Sequence, residues 1–82
     1  MKTYKTHGTC SRAIEYEVTD GVVTECRFVG GCMGNTQGVA RLVEGMAIED
    51  AISRLSGIRC GFKSTSCPDQ LARALQSMQK TN

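Results

Sequence analysis

The sequence predicts an α+β domain, a small antiparallel sheet followed by three helices packed on one of its faces. Three observations carry that expectation. Apolar and polar residues alternate through "AIEYEVTDGVVTECRF", residues 13–28, on both sides of an Asp20-Gly21 pair. From Asn35 the apolar spacing lengthens to three and four residues. The one proline, Pro68, stands at the head of the last apolar stripe. Strands grouped ahead of helices are the pattern of a sheet covered on one side.

Taken in order, "KTYKT" ahead of Cys10 is short and mixed and could add an edge strand. In the first long run Ile14, Tyr16 and Val18 alternate with Glu15 and Glu17. In the second, Val22, Thr24, Cys26 and Phe28 alternate with Val23, Glu25 and Arg27. Asp-Gly between such runs is the strongest short hairpin signal, because a type I′ turn needs positive φ at both central positions. Val39, Leu42, Val43 and Met46 then define a first helix, with Asn35 or Thr36 as N-cap and Gly45 as its stop. Ile48, Ala51, Ile52 and Leu55 mark a second, short helix closed at Gly57. Pro68 opens the third, since the first helical position tolerates its missing N–H; Cys67 then falls at the N-cap, and Leu71, Ala74, Leu75 and Met78 form the apolar face. No linker or repeat interrupts the chain, so residues 1–82 are expected to form a single domain.

A chain of 82 residues buries only about 60% of the surface its unfolded form exposes. Two Tyr, two Phe and no Trp leave an aliphatic core, and domains of this size commonly add a disulfide, metal or oligomeric staple. Five cysteines supply the material. The opening "MKTYKTHGTC" has no apolar run of the kind a secretory signal uses, and no stretch approaches a membrane span. The expected location is therefore the cytoplasm, where thiols stay reduced and cysteines point to metal binding or redox chemistry. A net charge of +2, spread without Lys or Arg runs, gives nucleic-acid binding little support.

Cys67 at a helix start sits where unpaired N–H groups and the positive end of the helix dipole favour thiolate over thiol. Cys32, in the glycine-rich "GGCMGN" leading into the first helix, has a similar setting. Cys10 precedes the hairpin, and Cys60 stands at the far end of the loop that delivers Cys67. Four thiolates brought together would make the tetrahedral shell usual for structural zinc, with iron as the alternative. Arg12, Arg59, Lys63 and the helix dipoles could offset the net charge of about −2 that such a site carries. The ligands are separated by 21, 27 and 6 residues with no C-x2-C knuckle. Spacing alone therefore leaves open whether these are ligands or small buried hydrophobes. Cys26 shares the Phe28 face of the second strand and reads as core. His7, in "HGTC", reads as an exposed histidine, and Asp69 and Gln70 as first-turn residues complementing the helix dipole.

"TSCPD", residues 65–69, together with "YKTHGTCS", "FVGGCMGNTQGVARLVEGM" and "SGIRCG", resembles the TSCPD domain family in its small stand-alone four-cysteine form. The resemblance implies that Cys10, Cys32, Cys60 and Cys67 are the metal set and leaves Cys26 outside it. The family also occurs at the C-terminus of adenosylcobalamin-dependent ribonucleotide reductases, and its stand-alone members often carry the label ribonucleoside-diphosphate reductase. A chain of 82 residues cannot enclose such an enzyme's barrel, substrate pocket and cofactor. The resemblance thus implies an accessory role in ribonucleotide reduction or deoxynucleotide metabolism, with a reductase or another protein as partner, rather than catalysis alone.

More distantly, the order of Cys10, Cys32 and Cys67 around a hairpin and a "G-x-x-x-E-x-A" step at Gly45, Glu49 and Ala51 is similar to iron-sulfur scaffolds of the IscU and NifU type. That likeness implies a related fold with the three sites at one end. Arg12 stands where those scaffolds have an aspartate, and Ser66 where they often have a histidine. Cys60 adds a fourth sulfur, which favours a retained metal over a transferable cluster. The leading expectation is a zinc module; an iron-sulfur carrier and a dithiol relay through Cys60 and Cys67 are the rivals.

Overall fold

The computed structural model describes residues 2–9, 11–30, 33–59, 61 and 63–80, with only the backbone described at 33–35 and 79–80. Three strands, β1 (Lys2–Lys5), β2 (Ser11–Thr19) and β3 (Val22–Gly30), precede three helices, α1 (Met33–Val43), α2 (Ile48–Leu55) and α3 (Cys67–Lys80). The sheet is antiparallel in the order β1-β2-β3, so "KTYK" does form the edge strand. This is the α+β arrangement expected.

At the hairpin tip Asp20 and Gly21 have φ of 53° and 76°, the positive pair that a type I′ turn demands. Beyond the turn the alternation does not run as the sequence suggests. Val18 pairs with Val23 and Glu17 with Glu25, which leaves Thr24 unopposed as a bulge. Val23 is consequently fully buried, and Thr24, expected on the inner face, is exposed and donates its hydroxyl to the Glu17 carbonyl. One extra residue changes the side-chain parity, so Val23 and Cys26, three apart, share the core face.

That face, with Ile14 and Tyr16 from β2, packs against Ala40 and Val43 of α1, Ile48 and Ala51 of α2, and Leu71, Ala74 and Leu75 of α3. Cys26 belongs to this core, as its strand position implied. Burial, and secondarily the neighbouring Glu44 carboxylate, pushes its thiol up to about 12.

Helix α1 starts at Met33, ahead of the Asn35 or Thr36 expected to cap it, and ends at Val43. Its buried stripe is Thr36, Ala40 and Val43, whereas Leu42, expected on that stripe, is 75% exposed. Successive residues turn by about 100°, so the side chain next to Val43 is swung out of the face that touches β3. No side chain caps α2: the Ile48 N–H instead donates to the Gly21 carbonyl (2.9 Å), and Val23 exchanges backbone hydrogen bonds with Gly45 and Met46. The hairpin turn thus caps the second helix. Among the described residues, no helix is long and apolar enough to cross a membrane.

Candidate functional site

Cys67 is the first residue of α3 rather than its N-cap. Ser66 holds the cap: its carbonyl accepts the Gln70 N–H at 2.8 Å, and its Oγ accepts the Asp69 N–H at 3.2 Å. Pro68 accordingly moves to the second helical position. The sequence carried a cue to this in S-x-x-D, which resembles the start of a capping box. Asp69 does not close that box.

Asp69 turns instead to the preceding loop. It accepts the Gly57 N–H at 2.7 Å and the Thr65 hydroxyl at 2.5 Å, and its Oδ2 lies 3.1 Å from Arg73 Nε one turn later. Burial alone would raise its pKa. The hydrogen bonds from Thr65 and Gly57, together with Arg73, outweigh burial and hold the carboxyl below its ordinary value of 3.8. The Ser66 hydroxyl donates to the Ile58 carbonyl at 2.6 Å. Both ends of the 57–66 loop are therefore tied to the start of α3.

A second loop is drawn to the same place. Gln70, only 2% exposed, donates from Nε2 to Thr65 Oγ1 and accepts the His7 backbone N–H at Oε1. Gly8 has φ of +74°, a conformation that L side chains rarely adopt, and a Cβ there would also stand 3.2 Å from Thr65 Cγ2, so the position favours glycine. Asp69 and Gln70, read as first-turn dipole partners, are thus buried struts between two loops. The His7 side chain is exposed, as expected.

Ser11 completes the arrangement. Its backbone pairs with Gly30 at the end of β3, and its Oγ lies 3.1 Å from the Cys67 sulfur, which is buried with 8% exposure for the residue. The Thr6 hydroxyl donates to the Ser11 carbonyl (2.6 Å), and Thr9 Oγ1 lies 3.1 Å from Ser11 Oγ. The Arg12 side chain lies across Gly30, where a Cβ would come 3.4 Å from its Nε. Nothing in the apolar periodicity pointed to Thr6, Ser11 or Thr65. Only the motif itself marked the last of them.

Of the four cysteines expected as ligands, Cys67 is described; Cys10, Cys32 and Cys60 lie outside the described residues. Among the described residues no three His, Cys, Asp or Glu side chains gather as a metal site. The chemistry around the sulfur that is described fits a metal thiolate. It sits at the positive end of a 14-residue helix, with a hydroxyl at hydrogen-bond distance.

The TSCPD domain family model matches residues 2–79, nearly the whole chain. This protein belongs to the TSCPD domain family. That membership fits a small domain related to the ribonucleotide reductases. Four residues of the motif, Thr65, Ser66, Cys67 and Asp69, together with Gln70, make the hydrogen bonds that gather the two loops at the start of α3. No curated protein and no solved structure matches the chain, so the likeness to iron-sulfur scaffolds rests on the sequence alone, on the order of the cysteines and the step at Gly45, Glu49 and Ala51.

Proposed function

We propose that this TSCPD domain is a non-catalytic metal-binding module that holds one zinc ion between Cys10, Cys32, Cys60 and Cys67, and that it serves as an accessory to ribonucleotide reduction or deoxynucleotide metabolism. One observation supports the reading above the others: Ser11 joins the end of the β2–β3 ladder at Gly30 to the Cys67 sulfur. Cys10 is one residue from Ser11, Cys32 two from Gly30, and Cys60 two from Ile58, whose carbonyl is bonded to Ser66. With consecutive Cα atoms about 3.8 Å apart, Cys10, Cys32 and Cys60 each follow or precede by one or two chain steps a position tied to the end of α3 that carries Cys67. Four thiolates would give zinc a closed tetrahedral shell. In a chain this short, that binding would contribute directly to folding.

The test is elemental analysis of untagged protein, with the reactivity of the five thiols followed before and after chelation. About one zinc per chain is expected, with the four ligand thiols protected until chelator is added. Cys67→Ser should lose the metal and Cys26→Ser should keep it. A brown protein with acid-labile sulfide would replace zinc by an iron-sulfur cluster. Freely alkylated Cys60 and Cys67 without metal would favour the dithiol relay. Metal lost in Cys26→Ser but kept in Cys60→Ser would overturn the ligand set.

A further inference from the structure

The hydroxyl beside Cys67 has a restricted proton inventory. Among the described residues, Ser11 Oγ is within reach of two polar atoms on side chains, Cys67 Sγ and Thr9 Oγ1, both at 3.1 Å. Ser11 carries one hydroxyl proton, and so does Thr9, whose Oγ1 is also 3.2 Å from the Ser11 carbonyl. Two polarities of the chain Thr9–Ser11–Cys67 are therefore open. If the sulfur carries a proton, it can donate to Ser11, which donates to Thr9, which donates to the Ser11 carbonyl. A metal-bound sulfur has no proton to give, so Ser11 must donate to it and accept from Thr9.

Resting on the reading of Cys67 as a ligand, we propose that Ser11 is a positioning residue of the metal site, its hydroxyl donating to the Cys67 thiolate with Thr9 orienting that hydroxyl from behind. The placement is built rather than accidental. Ser11 is 4% exposed, its carbonyl is held by the Thr6 hydroxyl, and its backbone is locked in register with Gly30. A hydrogen bond to a ligand sulfur draws electron density from the metal bond and stabilises the ionised ligand, and the loss of such a partner typically lowers metal affinity by about 10- to 100-fold.

The experiment compares the full chain with Ser11→Ala by competing bound zinc against a chromophoric chelator. In parallel, the sulfur-to-metal charge-transfer band is recorded after loading with cobalt(II). Ser11→Ala is expected to bind zinc about 10- to 100-fold more weakly. Its cobalt band should move to longer wavelength, because an unbonded thiolate gives up electron density more readily; a purely structural role would leave the band in place. Unchanged affinity and band position in a folded Ser11→Ala protein overturn the inference while leaving the metal module intact. Should Ser11→Ala fail to fold, Thr9→Val decides. A smaller shift in the same direction supports the chain of hydroxyls, and an unshifted band with full affinity overturns it. If the unmodified chain takes up neither metal through its thiols, the functional reading falls and this inference with it.

Discussion

Replacing Asp69 by Asn keeps the shape of the side chain and removes its charge, so it isolates what the carboxylate does for the loop over α3. The carboxylate accepts two hydrogen bonds in a site where the residue is 5% exposed, from the Gly57 N–H and the Thr65 hydroxyl. A hydrogen bond to a charged group contributes about 1.5–3 kcal/mol. The contact with Arg73, whose side chain is 53% exposed, adds about 0.5 kcal/mol or less. An amide can still accept from Gly57 but meets Thr65 and Arg73 with donors of its own. The expected loss at neutral pH is about 2 kcal/mol, from a total that for a domain of this size is about 4–12 kcal/mol. The corresponding fall in Tm is roughly 8–16 °C. Urea unfolding followed by circular dichroism measures it. Because the folded state holds the Asp69 carboxyl below 3.8, the unfolded chain binds the proton first as pH falls. The stabilisation is therefore complete above about pH 5 and is lost on descending through the lowered folded value. The gap between wild type and Asp69→Asn should close over that acid window. Protonation of thiols affects both proteins alike and cancels in the difference. A gap under 0.5 kcal/mol (~0.5, the noise of surface substitutions) at pH 7, or one that stays constant into acid, would refute the assignment of Asp69 as the strut.

Ser66→Ala removes the N-cap of α3 and the donor to Ile58 and should cost about 1–2 kcal/mol, read as a shift of the urea midpoint with an unchanged slope. Cys26, with its thiol pushed up to about 12, should resist alkylation in the folded protein at pH 8 and react only on unfolding, which mass spectrometry of the modified peptide will show. Leu42→Gln, at a position 75% exposed, should alter stability by no more than about 0.5 kcal/mol in the same assay.

Elements whose character depends on neighbours in the chain were legible. The Asp20-Gly21 turn, the period-two runs beside it, the apolar face Leu71, Ala74, Leu75 of α3, and the placement of Cys26 in the core all appear where local pattern puts them. Boundaries that hinge on one residue were less so. The bulge at Thr24 exchanged Val23 for Thr24 on the inner face, and Ser66 took the cap from Cys67. In each case the choice depends on a partner segment, β2 for the bulge and the 57–66 loop for the cap.

By itself, the sequence determined the order of strands and helices, the family, and the cysteines worth testing, because periodicity, turn chemistry and motif identity are carried by residues close together in the chain. Only the tertiary structure decided that Asp69 and Gln70 fasten two loops to one helix start and that Ser11 reaches the Cys67 sulfur across 56 residues of chain. Hydrogen bonds of that separation form only after the sheet and helices have packed, and no local pattern in the chain encodes them.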